Sequence, residues 1–298
     1  MLKVQIVGTD GVVQPPTNVT VEEKFPISIN TNLSRVVAPI DLDLARKLIA
    51  GQRAFFFFGF NDDVDAAWED IHATGGDINW LTSATAVEIL SSDVADTSSG
   101  LGTRSIEVHG LGAGGQDQDE VIDLNGTSAV QSALTYVRIN SMHNETVGTY
   151  GGSHKGNVTL RVTGAGATLA TMTGREGNVD TSVQYGSGES GLGHFSVPLG
   201  KVLYITDLYV TMNVKTNQTV DVILYEREGI LNTSAPQDPR RVLWSAIEID
   251  KPISKRFKSH IKIKQLTDIW FRAQGSGTNS KIAVSLDFYL LDRNSDGE

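Results

Sequence analysis

From Asn79 onward, apolar residues fall at alternate positions in short runs, and each run is closed by Gly, Asn, Asp or Ser. Successive side chains of a strand point to opposite faces, so this period builds sheets with one buried face rather than a helical bundle. In the first half the runs read as strands at Ala86–Leu90, Thr103–His109, Glu120–Leu124, Leu134–Ser141, Asn157–Thr163 and Thr168–Thr173. Thr173–Gly193, rich in Gly and Ser, reads as a linker. Longer strands follow in HFSVPLGKVLYITDLYVTMNV, TVDVILYERE, RRVLWSAIEI, HIKIK, TDIWFRAQG and SKIAVSLDFYLL. Thirty glycines against eight prolines suit many turns between short strands. The expected fold is all-β: two antiparallel β-sandwich, jelly-roll-like units at 61–183 and 190–298, with an extended N-terminal arm at 1–60.

Two helical signatures occur, one in the arm and one leading into the 61–183 unit. Asp41 is a plausible N-cap for an apolar stripe of Leu42, Ala45, Leu48 and Ile49 that ends at Gly51. Asp62 or Asp63 is placed to cap a second helix with Val64, Trp68 and Ile71 on one face, stopped by Gly75-Gly76. Between them lie four consecutive phenylalanines, Phe55–Phe58. In a strand two of these face each side, so both faces require cover, from this chain or from another subunit.

The spacing G-x-G-x-x-G occurs at Gly110, Gly112 and Gly115, after a strand-like TRSIEVH. A dinucleotide site needs a helix next, whose N-terminal amides hold the pyrophosphate. Here QDQDEVIDLNG follows, acidic and strand-like, with an Asn125-Gly126 turn signal, so the segment reads as a hairpin. The six histidines, His72, His109, His143, His154, His194 and His260, include no pair at metal-ligand spacing. GSGES (186–190) lacks the last glycine of a nucleophile elbow. Asp62–Asp65, with Glu69 and Asp70, reads as acids at a helix start, with a divalent-cation site as the alternative. Asp117–Glu120 lacks the turn of a dedicated calcium loop. No catalytic, cofactor-binding or metal-binding residue is assigned, no cofactor is expected, and the chain reads as a non-enzyme.

A formal charge of −10 disfavours nucleic acid as a partner, since phosphate affinity comes largely from Lys and Arg. The basic stretch Lys251–Lys264 alternates with Ile261 and Ile263; it reads as a solvated strand face or as a contact for an acidic neighbouring subunit, with Asp117–Glu120 as its match. Without cysteines, disulfides and thiolate zinc sites are excluded. MLKVQIVGTDG lacks the apolar core of about 7–15 residues of a secretory signal, and no run approaches the roughly 20 residues of a membrane span, so no membrane partner is expected.

Gly59–Val130 resembles structural proteins encoded by tailed bacteriophages, mostly of aquatic bacteria. The resemblance rests on Asn61, Asp63 or Asp65, Glu69, Asp70, Ile71 and Gly75-Gly76, then Ser91-Ser92, Asp96, Gly100, Gly102 and Arg104, and Leu124-Asn125-Gly126-Thr127. It continues with V-P-x-G-K at Val197–Lys201 and T-D-I-W-F-R-A at Thr267–Ala273, so that it spans about residues 59–293. One departure is His72, where that family tends to carry Trp. The resemblance implies a virion component, made in the host cytoplasm and released by lysis. The leading expectation is a decoration or minor head protein that self-assembles, as a homotrimer, and docks on other virion proteins such as the major capsid protein. The alternative is a tail or spike module binding a host glycan, for which Tyr204, Tyr209, Tyr225, Trp244, Trp270 and Phe271 are the candidate stacking residues.

Overall fold

A computed structural model describes residues 52–149, 152–174, 187–213, 218–231 and 239–293, all of which fall in one compact unit beginning at Leu44. The stripe at Asp41–Gly51 lies outside them. The described residues contain strands and turns and no α-helix. The strands are β1 (Gln52–Val64), β2 (Glu69–Asp70), β3 (Thr85–Ser91), β4 (Thr103–Leu111), β5 (Asp117–Asp123), β6 (Val130–Tyr136), β7 (Arg138–Val147), β8 (Val158–Val162) and β9 (Thr168–Met172). They continue as β10 (His194–Ser196), β11 (Lys201–Asn213), β12 (Val220–Glu228), β13 (Arg241–Ile249), β14 (Ile253–Ile263), β15 (Thr267–Gly275) and β16 (Ser280–Asp292).

Two sheets, in the orders β1-β16-β11-β14 and β10-β15-β12-β13, face each other, and β2 adds to β15. Numbering β1 and β10–β16 as one to eight in chain order, the sheets run 1-8-3-6 and 2-7-4-5, the double Greek key of a jelly roll. Alternate residues of each strand meet in one core that includes Leu203, Leu208, Val222, Leu224, Phe271, Leu286 and Phe288. The unit β3–β9 is inserted between the jelly roll's first and second strands, β1 and β10. It forms a smaller sandwich with sheets β6-β3-β8-β9 and β5-β4-β7 over a core of Val87, Ile89, Ile106, Val108, Tyr136, Met142 and Leu160.

Sheet pairing places the divisions differently from composition. Residue 60 falls inside β1, which pairs with β16 from Gln52↔Leu291 to Val64↔Ser280, so the phenylalanine run is the jelly roll's first strand rather than part of an arm. The end of the Gly/Ser stretch is pinned to both sandwiches, by the bridges His143↔Glu189 and His72↔Leu192 and by the bond from Phe271 N–H to Gly193 O at 2.9 Å; residues 175–186 lie outside the described set. Leu134–Ser141 divides at Val137, where the chain crosses from one sheet of the inserted sandwich to the other.

The expected helix over Asp62–Gly76 is not formed. Val64 and Ile71 are both buried in the jelly-roll core, but Trp68 is exposed, so the three share no face. Glu69 explains why: its carboxylate accepts from Asn61 Nδ2 at 2.9 Å, Asp65 N–H at 2.9 Å and Gly76 N–H at 3.0 Å, folding the segment into a clasp. Ile71 N–H then bonds Phe271 O at 3.0 Å. Pairing with β15 outcompetes a short isolated helix, which is marginal without a stripe to bury.

Candidate functional site

The residues of the sequence motifs prove to be scaffold. Asp96, fully buried, accepts from Ser91 Oγ at 2.6 Å, Thr103 N–H at 3.0 Å and Gly156 N–H at 2.8 Å, tying the 91–103 loop to the turn before β8. A Cβ on Gly100 would strike the Ala95 carbonyl and one on Gly102 the Asp96 carboxylate, which accounts for both glycines. The G-x-G-x-x-G segment closes the β4–β5 hairpin, with Leu111 opposite Asp117, Gly115 at φ +77° and Gly115 N–H bonded to Gly112 O at 2.8 Å. No helix follows it.

Asp62 and Asp63 cap no helix and instead stand in β1. Asp63 Oδ1 takes Asn279 Nδ2 at 2.6 Å, and the Asp65 carbonyl takes Gly275 N–H at 2.7 Å, so these acids fasten the β15–β16 turn. Glu120 is engaged within its own sandwich, by Ala133 N–H at 2.6 Å and Tyr136 OH at 3.2 Å. Of the histidines, His72, His154 and His194 are buried and His260 is exposed, whereas His109 and His143 meet on one sheet face.

Asp268 of the T-D-I-W-F-R-A run holds the two sandwiches together. It is completely buried and binds Arg138 of the inserted sandwich in a fork, Nε to Oδ1 at 2.9 Å and Nη2 to Oδ2 at 3.0 Å. Arg227 Nη2 donates to Oδ2 at 2.9 Å and Ser196 Oγ to Oδ1 at 2.6 Å. Burial pushes the Asp268 carboxyl up, but the Arg138 charge and these bonds outweigh it and hold the group below its ordinary value. Beside it, Asn140 and Ser196 exchange two bonds, and His194 donates from Nε2 to Ile139 O at 2.8 Å. Burial lowers the His194 imidazole to about 4, so the ring is neutral at pH 7.

A cleft of about 710 Å³ opens next to this seam, lined by Asp70, Asp77, Trp80, Arg227, Trp270 and Arg272 among others. Its aromatic faces are already occupied. Arg138 and Arg227 lie over the Trp80 ring at 5.0 and 5.3 Å, and Tyr225 stacks on Trp270 at 5.5 Å. Asp70 Oδ2 accepts Ile78 N–H at 2.7 Å, while Arg272 Nε lies 2.9 Å from Oδ1 without the alignment of a hydrogen bond. Desolvation dominates there, and the Asp70 carboxyl rises to about 6. Of the other proposed stacking residues, Phe271 is core and Trp244 packs against it, leaving Tyr204 half-buried and Tyr209 exposed. A sugar needs a bare aromatic face, and this cleft offers none at Trp80 or Trp270.

The outer surface of the β1-β16-β11-β14 sheet is different. Phe57 points into the core at 6% exposure, against Phe271 and Phe288, while Phe56 and Phe58 face outward at 63% and 38%. One row across this face reads Phe56, Asp287, Asp207, Arg256, and the next reads Phe58, Ser285, Tyr209, Ser254. Asp287 and Asp207 are direct cross-strand partners of like charge, an arrangement that destabilises a sheet. Burial and then Asp207 raise the Asp287 carboxyl. The nearest guanidinium, on Arg256, stands 3.9 Å from Asp207. The sheet's two edges also differ. β14 displays Arg256, Lys258 and Lys262 on this face, with Lys255 exposed on the other, whereas β1 carries no charge from Ala54 to Phe60. Over Ala54–Phe58 that edge pairs with no further strand among the described residues.

No protein-family model matches the chain, and no curated protein is similar to it. Among solved structures it is similar to T=1 particles derived from infectious bursal virus, at 10% identity over 82% of this chain and 74% of that chain, with a TM-score of 0.19. It is also similar to the T13 particle of that virus, at 8% identity over 81% and 74% with a TM-score of 0.20. The infectious bursal disease virus VP2 subviral particle gives 11% identity over 82% and 77%, with a TM-score of 0.18. Superposition this loose carries no argument about fold or role.

Proposed function

We propose that this chain is a non-enzymatic structural protein of a virus particle that assembles with copies of itself through the first strand of its jelly roll. The uncharged, phenylalanine-bearing β1 edge carries this reading. Sheet edges recruit other chains unless charge, proline or a cover prevents it; β14 has that protection in its lysines, and from Ala54 to Phe58 β1 has neither charge nor proline, nor a covering strand among the described residues. The occupant that suits it is a second copy, because the opposed Asp287 and Asp207 beside Phe56 ask for a cation and β14 of a neighbour presents several. A contact between unlike edges is heterologous, and it makes a closed ring where its rotation closes; a ring of three is the number proposed.

The virus assignment rests on the resemblance of residues 59–293 to tailed-bacteriophage structural proteins, and the place proposed is the capsid surface, against the major capsid protein. Asp63, Asp65, Glu69, Glu120, His154 and His194 are engaged in turns, seams and clasps, which supports the non-enzymatic reading; the occupied faces of Trp80 and Trp270 weigh against glycan capture in the cleft. The test is mass spectrometry of particles purified from the virus that encodes the chain. It is expected in the particle fraction in many copies, and recovery only from the particle-free lysate would refute the assignment.

A further inference from the structure

We propose that Glu107, His109 and His143 form a binding site for one divalent transition-metal ion, of which zinc is the reference case. Glu107 and His109 alternate on β4 and so share its outward face, and the register sets His143 of β7 directly opposite Glu107. No sequence spacing announces the trio, because β4 and β7 are neighbours in the sheet but β5 and β6 separate them in the chain. Glu107 Oε2 lies 3.0 Å from His143 Nε2 and 3.5 Å from His109 Nε2. Ligand atoms about 2.0–2.1 Å from a tetrahedral zinc stand roughly 3.3 Å apart, so the pair distances straddle the required value. One ligand atom from each of the three lies within 4.8 Å of the others. The imidazoles stack at 5.2 Å and 18°, which aims both rings at the same carboxylate.

The surroundings suit a cation. Asp119 is the cross-strand partner of His109 on β5, and Glu189 bridges to His143 from the other side, so exposed carboxylates flank both imidazoles. The three ligand side chains are 22–37% exposed, open enough for a hydrated ion to enter. Two imidazoles and one carboxylate favour zinc, cobalt, nickel or copper over calcium or magnesium, which take oxygen ligands. Three protein ligands on a flat face leave a coordination position for water or for a flanking carboxylate.

The test is a titration of chelator-treated full-length protein with Co²⁺, followed by its visible absorption, and with Zn²⁺, followed by calorimetry. Saturation at one ion per chain is expected, with a zinc-dependent rise in melting temperature. His109→Ala and His143→Ala should each weaken binding at least about tenfold, the scale already lost when only an outer partner of a ligand is removed. His260→Ala, at an exposed histidine elsewhere, should change nothing. The ligands sit on a solvent face, so folding of the variants is verified by metal-free melts, with His109→Gln and His143→Gln as a second pair. Absence of saturable binding by the wild type, or binding equally strong in the His109/His143 double variants, would overturn the proposal.

Discussion

Asp70 on β2 and Asp268 on β15 are buried carboxylates whose burial has opposite outcomes. Asp268 has two guanidinium groups and a hydroxyl, so it stays ionised without water; Asp70 has a backbone N–H and a poorly aligned Arg272, and its carboxyl rises from 3.8 to about 6. For Asp70 the folded value exceeds the unfolded one, so the folded state holds the proton more tightly. Its favourable contribution is complete below about pH 4 and is lost as pH rises through 6, roughly 3 kcal/mol in all. Asp268, with a lowered folded value, contributes above its ordinary 3.8 and loses that only in stronger acid. Denaturant midpoints of wild type and Asp70→Asn, compared at about pH 4 and pH 7, check this. The variant should gain relative to wild type at pH 7, and an unchanged difference between the two pH values would contradict the assignment of Asp70. None of this was legible in the sequence. Asp70 and Asp268 look alike in an acidic chain, and only the fold decides which meets arginines from another strand.

At the scale of elements, alternation identified nearly every strand, because a half-buried strand writes its faces into the order of its residues. Exceptions arise where another demand overrides the period. Val64, Trp68 and Ile71 mimic a helical stripe, yet Glu69 collects three donors and turns the segment into a clasp. Val137 interrupts what reads as one strand, because Arg138 must reach Asp268 from a different sheet. β1 shows what period alone leaves open: Phe55–Phe58 is apolar on both faces, so the sequence cannot say which face is core. The structure answers with Phe57 inside and Phe56 outside. Phe57→Ala should therefore cost about 3–5 kcal/mol in denaturant unfolding, the loss typical of a buried phenylalanine. Phe56→Ala should leave the monomer's stability within roughly 0.5 kcal/mol, as for surface sites. Equal losses would mean that the inward and outward faces are misassigned.

At the scale of the molecule, the chain is one jelly roll interrupted by a second sandwich, and the Arg138–Asp268 fork with the Leu111, Val137 and Ile230 cluster joins them. Composition suggested two consecutive units; discontinuity escaped it because the first strand lies far in sequence from its partner β16, and long-range pairing leaves no local signal. Closure of the jelly roll leaves β1 and β14 as the two edges of one sheet, and the proposal of self-assembly depends on their difference. The most direct test is the mass of the full-length chain by light scattering at micromolar concentration, beside a Phe56→Lys/Phe58→Lys variant whose far-ultraviolet circular dichroism matches the wild type. An oligomer for the wild type and a monomer for the variant is the expected result; a monomeric wild type, or a variant that keeps the oligomer's mass, would contradict assembly through β1.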